Sequence, residues 1–387
     1  MLAGQRLAPK HYPRFGMDER ALTERLLTYD TSSLEGMQSA AGFVKGWLEA
    51  RDVEVKGGVH NGRPLLAATV GPAGAAQTIV LHGHLDVVPG RPEQFAPLIE
   101  GDRLYGRGAY DMKGGLAAMM CALHDLTEQD RVRVHFVCVS DEESEDLEQR
   151  GSDYLVEQGY IGDFAITGEP TNMHIGIQAK GVLAMRIEVI GKAAHGSTPW
   201  VGDNAVLKAF DIFRQIETLP FARESSDMFD RPSVNLSRIL GGDALNKVPD
   251  VCVIDVDVRY LPGQEPDKIK AAVNELVDAS VIKVFHRQPA IVEREDPFVQ
   301  ALGTAISRVA PPPGEQLSVG RDGASDAISF IEAGVPAVEC GPVGDGHHGP
   351  EEWVSIRSLQ DYRRALVEFV ELLPGQMGQD ERPLRIA

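Results

Sequence analysis

The chain has 387 residues, 43% hydrophobic and 25% charged, the make-up of a globular protein too long for one hydrophobic core, so two domains are expected. Its 57 acidic residues against 38 basic ones give a formal charge of -19; that argues against a nucleic-acid partner, which needs a clustered basic surface. Four cysteines, Cys121, Cys138, Cys252 and Cys340, lie far apart with no CxxC pair, a pattern that is neither a disulfide framework nor a zinc ribbon and fits a reducing compartment.

Met1 to Phe15 carries Arg6, Lys10, His11 and Arg14 without an apolar segment; neither a secretory signal nor a membrane span is expected, and the default location is cytoplasmic. Glu19 to Arg51 reads as two helices, the second with apolar spacing through Ala41, Val44, Trp47 and Leu48. Short β-rich runs follow at Leu65–Val70 and Thr78–His82, the latter entering the turn His82-Gly83-His84. Gly114-Gly115 opens a helix, Leu116–Leu126, that is apolar on most sides. Val132–Ser140 reads as a strand stopped abruptly by Asp141-Glu142-Glu143, and Phe164–Thr167 as another, stopped by Gly168-Glu169-Pro170. Alternation of this kind predicts an α/β layer with a largely parallel sheet.

The pattern then changes. Val182–Ile190 alternates cleanly, a helix covers about Asn204–Glu217, and strands cover Ser233–Leu240 and Val251–Arg259. A helix from about Pro266 to Ala279 and a strand at Val281–His286 complete a β-α-β-β-α-β succession, the mark of a small α+β, ferredoxin-like unit inserted in the larger fold. From Asp296 the α/β pattern resumes and ends in a helix, Ile356–Leu373; the tail after Gly375 is polar and expected to be loosely held.

The chemistry lies in where the acidic and histidine residues fall. His84 and Asp86 follow one strand, Asp111 sits in the loop before the Gly114-Gly115 helix, Glu142 and Glu143 end a second strand, and Glu169 ends a third. Strand carboxyl ends in an open α/β sheet converge on one crevice, where ligands bind. Carboxylates meeting there repel by roughly 4 kcal/mol per close pair at moderate effective dielectric. Protonation or divalent cations must relieve that repulsion, and imidazole with carboxylate suits zinc, with cobalt or manganese as substitutes. In His84-Leu85-Asp86 the carboxylate is near enough to accept the imidazole's second N–H. Adjacent Glu142 and Glu143 cannot easily point at the same atom, so one can ligate while the other serves as general base. Taken singly, these motifs have plainer readings: a turn histidine, an acidic cap at a helix start, a turn glutamate. Their joint occurrence, in order and each after a strand, carries the inference.

The stretches His82-Gly83-His84-Leu85-Asp86-Val87-Val88-Pro89, Gly108-Ala109-Tyr110-Asp111-Met112-Lys113-Gly114-Gly115, Asp141-Glu142-Glu143 and Gly168-Glu169-Pro170 resemble the signature of the M20 metallopeptidase family, over about Asp18 to Leu373. The family includes deacetylases, desuccinylases, aminoacylases and glutamate carboxypeptidases. The resemblance implies a zinc-exopeptidase-like catalytic domain, residues 1–180 and 291–387, with a central, mostly parallel sheet, and an inserted lid and dimerisation domain, 181–290. It implies two bound divalent cations. His84 and Glu169 would hold one, Asp111 would bridge both, and Glu143 would hold the second; Glu142 would be the general base and Asp86 the residue that orients His84. The last ligand falls in Gly346-His347-His348-Gly349-Pro350-Glu351-Glu352-Trp353, where the register points to His348 with His347 its neighbour.

The resemblance extends into the inserted segment. Gly191-Lys192-Ala193-Ala194-His195-Gly196-Ser197-Thr198-Pro199 looks like the family's lid motif. It implies that His195 stabilises the oxyanion and, as in dimeric members, reaches the neighbouring subunit's site. Gly196 departs from the family's usual serine or alanine. Asn246 and Arg259 look like contacts to a substrate carboxylate, a task suited to a planar guanidinium. Gly323-Ala324-Ser325-Asp326 resembles a cleft-lining turn, placing Gly323 and Ser325 near substrate, with alanine in place of threonine. The expected protein is a homodimeric hydrolase of N-acyl amino acids or small peptides, with no nucleic-acid or membrane partner. An aminopeptidase of the same broad class and a catalytically silent scaffold are the rivals.

Overall fold

Strands that are apolar on both faces settle where a sheet is covered on both sides, and here they build the parallel centre of the molecule. In a computed structural model, which describes residues 18–144, 149–276, 281–311 and 316–376 with side chains to 373, Gln77–His84 lies between Val132–Val139 and Phe164–Thr167, and Ala337–Glu339 pairs beyond the last. All three pairings are parallel, and the register sets His84 opposite Val139, His82 opposite Thr167, and Thr167 opposite Glu339. The four strands therefore end nearly level. Each chain segment that leaves this edge carries acidic or histidine side chains. The ladder extends two residues past the expected end at His82, because Val139 continues the pairing and its carbonyl then accepts from the Leu85 N–H at 2.9 Å.

Further strands complete a mixed, mainly parallel sheet. Arg63–Val70 and Val55–His60 extend one side by antiparallel pairing; on the other, Ile175–Ala179 and Ala290–Ile291 pair antiparallel and Ser318–Arg321 pairs parallel with Ile175–Ala179. Several of these are short or, like Val55–His60 with its paired glycines, mostly exposed; their sequences carry little periodicity. The helix Gly114–Asp125 is buried through Leu123 and lies against Ile356–Gln376. A Cβ on Gly115 would come within 2.4 Å of the Gly168 carbonyl oxygen. Glycine is what lets this helix start abut the loop that presents Glu169.

The predicted second unit is a separate antiparallel sheet in the order Ser233–Gly241, Val251–Tyr260, Gly181–Ile190, Val281–Arg287. Helices Ala205–Ile216 and Pro266–Asn274 accompany it; Asn204 caps the first by accepting from the Val206 and Leu207 N–H groups. Leu183, Ile187, Phe213, Val256 and Tyr260 belong to a core of its own. The chain thus adopts the expected α/β fold with an inserted α+β layer.

A third, small sheet was not legible in the sequence. Gly344–Asp345, Trp353–Ser355, Arg103–Tyr105 and Leu98–Glu100 join in that order. Strands of two or three residues give no period to read, yet this sheet ties the loop of Asp111 to the loop of His348. No described helix is long and apolar enough to cross a membrane, and all four cysteines are buried and free. Met1–Phe15, the predicted helix end near Ala279 and the tail beyond Gln376 lie outside the described residues.

Candidate metal centre

Five of the predicted ligands meet at the level edge of the parallel strands. His84, Asp111 and Glu169 each offer one ligand atom, as do Asp111, Glu143 and His348; within either group these atoms lie within 4.8 Å of one another. Asp111 belongs to both groups. Its Oδ1 lies 3.3 Å from His84 Nε2, and its Oδ2 lies 3.3 Å from His348 Nε2. Glu169 Oε1 is 3.7 Å from His84 Nε2, and Glu143 Oε1 is 3.0 Å from His348 Nε2. His348 rather than His347 reaches the acidic groups; the His347 ring lies beside Tyr110. His348 takes a left-handed backbone (φ 60°) that turns it out of the loop.

The electrostatics show what this donor set requires. Burial drives the Glu169 carboxyl well above the ordinary range, and Glu142 is pushed up to about 8, first by burial and then by the charge of Asp326. Burial also works against an ionised Asp111, but hydrogen bonds from His348 and His84 outweigh it and hold the acid well below its ordinary value. His348 rises to about 10 through its hydrogen bonds to Asp111 and Glu143. His84, despite complete burial, is raised by Asp111 and Asp86. The cluster demands positive charge, from protons or from cations. Glu169 Oε1 and Asp86 Oδ1 are buried without a hydrogen-bond partner, a cost of about 1–3 kcal/mol for each such group. Oxygen and imidazole donors facing one another, with an orphaned carboxylate oxygen among them, fit divalent cations of the zinc type.

Surrounding groups hold these side chains. The His84 Nδ1 hydrogen-bonds the backbone carbonyl of Asp86 at 3.0 Å, while the Asp86 carboxylate oxygen lies 3.6 Å away. Asp86 instead accepts the Glu143 backbone N–H on Oδ2 at 2.9 Å. So Asp86 orients His84 through its main chain and positions Glu143 through its side chain. The sequence suggested only a carboxylate–imidazole bond, because it cannot say which way a side chain leaves a turn.

Several residues of this surrounding layer carried no signal of their own. Glu352, nearly fully buried, accepts the N–H groups of Gly108, Tyr110 and Asp111 at 3.0 Å each, and Arg107 Nη1 at 2.8 Å. One carboxylate thereby organises the whole loop that presents Asp111. In the sequence Glu352 served only as a register mark for His348. Arg150 Nη1 donates to the Glu142 carbonyl (2.8 Å), to Glu142 Oε1 (3.2 Å) and to Asp326 Oδ1 (3.0 Å). Asp326 in turn accepts from Ser152 Oγ at 2.6 Å. Only the nearness of Asp326 to the Gly323–Ser325 turn hinted at these contacts.

The predicted substrate-side residues are not drawn into this cluster. His195 is exposed, its Nδ1 accepting from Ser197 Oγ at 2.7 Å, and it bridges to Lys247. Arg259 pairs with Asp257 at 2.9 Å, and Asn246 is exposed, its carbonyl accepting from Gly196 N–H at 2.7 Å. A Cβ on Gly196 would sit 3.0 Å from the Asn246 carbonyl carbon, so glycine permits this strand-like approach. Gly323 is exposed with open space where a Cβ would go, and Ser325 Oγ accepts the Ala327 N–H at 3.1 Å. Among the described residues, none of these five has a hydrogen bond or ion pair to the acidic cluster.

The sequence pattern of peptidase family M20/M25/M40 matches residues 80–372. A succinyl-diaminopimelate desuccinylase of Gluconobacter oxydans is 29% identical over 312 residues, covering 75% of this chain and 80% of that protein. Among solved structures, an M20 family metallo-carboxypeptidase of Sulfolobus solfataricus has a TM-score of 0.77 at 20% identity, covering 92% of this chain and all of the other. The aminopeptidase PepT of Bacillus cereus superimposes with a TM-score of 0.74 at 20% identity, covering 92% and 98%. Carboxypeptidase and aminopeptidase thus fit the fold almost equally, so the fold by itself does not select a substrate.

Proposed function

The chain belongs to peptidase family M20/M25/M40 and is a metallohydrolase of amide or peptide bonds; we propose that it cleaves the amide of N-acyl amino acids or small peptides, as a deacetylase, desuccinylase or carboxypeptidase does. The observation that carries this reading is the pair of three-residue groups that share Asp111. His84, Asp111 and Glu169 would hold one divalent cation, and Asp111, Glu143 and His348 a second, with zinc favoured and cobalt or manganese as substitutes. Bound there, the cations supply positive charge that polarises the scissile carbonyl and acidifies the attacking water.

The chain's own residues do the rest. Glu142 takes a proton from the water and passes it to the leaving amine. Asp86 keeps His84 and the Glu143 backbone in place. His195 donates a hydrogen bond to the oxyanion, Arg259 and Asn246 bind the substrate carboxylate, and the turn at Gly323 and Ser325 lines the cleft. Because His195 finds its partners only locally and stands exposed, it is free to serve the neighbouring subunit of a homodimer formed through the second domain. The edge strand Ser233–Gly241 and the adjoining helix support that arrangement: Leu207, Phe210, Ile239 and Leu240 are 65%, 51%, 41% and 58% exposed. The division into 1–180 with 291–387 and an inserted 181–290 belongs to the same reading, supported by a second sheet whose strands all fall between Gly181 and Arg287.

A panel of N-acetyl and N-succinyl amino acids, dipeptides and aminoacyl anilides, assayed with added zinc, cobalt or manganese, tests this. Turnover of the blocked amino acids without turnover of the anilides is the expected result. The reverse result identifies an aminopeptidase, and metal uptake without turnover of any substrate identifies a silent scaffold.

A further inference from the structure

Two adjacent glutamates at the end of a strand, each with three side-chain torsions, have to be sent in different directions if one is to ligate and the other to carry protons. Glu143 has its own restraints: its N–H is held by Asp86 and its carboxylate meets His348. The restraint on Glu142 comes from elsewhere. Arg150 Nη1 grips both the Glu142 carbonyl oxygen and its Oε1, and so fixes backbone and side chain together.

Arg150 is itself held. Its side chain is 13% exposed, its backbone N–H donates to Asp153 Oδ2 at 3.0 Å, and its Nη1 meets Asp326 Oδ1. Asp326 is 2% exposed and comes from the far end of the sequence, just before the helix Ala327–Glu332. Ser152 Oγ donates to its other oxygen, and the His82 imidazole lies 2.9 Å from that same hydroxyl. The chain of contacts runs from the centre of the parallel sheet, through His82, Ser152, Asp326 and Arg150, to Glu142.

We propose that Arg150 and Asp326 act as a positioning pair that directs the Glu142 carboxylate away from the ligand position held by Glu143. The proposal rests on the reading of Glu142 as the proton carrier. A buried ion pair is weak grounds for stability alone, but a guanidinium joining three oxygens from two distant segments specifies a conformation. Misplacing a reacting group by about 1 Å costs on the order of a hundredfold in rate. Because all three contacts come from Nη1, the single ammonium of lysine can imitate them only in part, its stem being shorter than that of arginine.

The test uses the full chain as R150A, R150K and D326N, each loaded with cobalt. For R150A, kcat is expected to fall about a hundredfold with KM within about threefold of wild type, because the substrate contacts are untouched. The cobalt stoichiometry and visible spectrum should stay as in wild type, and a crystal structure should show the Glu142 carboxylate displaced. R150K should restore only part of kcat, and D326N should lose about tenfold. In an E142Q background, R150A should cause no further loss. Wild-type kcat in R150A, full additivity with E142Q, or an unmoved Glu142 carboxylate each overturns the proposal. If the wild-type protein hydrolyses no amide, the functional reading fails, while the crystallographic position of Glu142 in R150A still decides this one. Should R150A fail to fold, R150K and D326N carry the same comparisons.

Discussion

The two halves of the proposed machinery are built on opposite principles. At the edge of the parallel strands, His84 is fully buried, and Asp111, Glu143 and Glu169 have side chains only 12%, 12% and 13% exposed. Asp111 and Glu143 meet groups that arrive from far along the chain, while His84 is held by the Asp86 carbonyl and His348 is 51% exposed. In the second domain, His195 and Asn246 are exposed and Arg259 is half-buried, and their partners Ser197, Gly196 and Asp257 lie within it. The first region gathers its groups from distant segments; the second presents more exposed side chains whose contacts stay inside it. A site that concentrates negative charge has to be held rigidly by its surroundings, whereas a surface that meets substrate or a second subunit pays no such cost in advance.

The sharpest way to break that contrast is at its centre. E142A should keep cation content and thermal midpoint while kcat falls by about 10³–10⁴, the upper range for a lost general base. Wild-type turnover in E142A would remove Glu142 from its role. On the other side, H195A should lower kcat by about 10²–10³ yet leave cation affinity and melting temperature at wild-type values, as befits an exposed residue with local contacts. A drop in cation affinity in H195A would mean that the two regions are not separate.

Glu352 sharpens the comparison from the structural side. E352A deprives four donors of one acceptor and leaves the buried Arg107 without its carboxylate, with only its Nη2 bond to the His348 carbonyl at 3.3 Å, a change that typically destabilises by about 3–5 kcal/mol. Cation affinity, read by titration, should weaken about 10–100-fold because the Asp111 loop loosens, even though Glu352 is not itself a proposed ligand. An unchanged midpoint in thermal denaturation would show that the loop is held by other means.

The smallest effect concerns protons. In the cation-free protein His348 is raised from 6.5 to about 10 by Asp111 and Glu143. A raised pKa means that its stabilising contribution is complete below the unfolded value and is lost as pH climbs through the folded one. With chelator present, the melting temperature should decline more steeply between pH 7 and 10 than in H348N, where loss of the imidazole flattens the profile; buried Lys113, lowered from 10.5 to about 7, opposes the decline in both proteins. Zinc should flatten it as well, since a cation replaces the proton between the same carboxylates. The same slope with and without His348 would assign the pH response to other groups.

Much of the molecule was legible before folding, for reasons that are local. Strand and helix periods, and turns such as Gly168-Glu169-Pro170, are written in neighbouring residues, so the alternation of elements and the β-α-β-β-α-β insert could be read directly. His84, Glu143 and Glu169 were legible too, because each follows the end of a strand, and strand ends in such a sheet share one edge; Asp111 was read in the loop before a helix, and His348 came from the family resemblance. Strands too short to show a period, above all those joining Arg103–Tyr105 to Trp353–Ser355, were not.

What only the tertiary structure decided is which groups hold the ligands and which way they point. Arg107 finds Glu352 across 245 positions, and Arg150 finds Asp326 across 176. Asp86 hydrogen-bonds His84 through its carbonyl, with its carboxylate 3.6 Å from the same nitrogen. Those choices depend on the order of strands in the sheet and on how deeply each charge is buried, and neither quantity exists until distant segments have packed together.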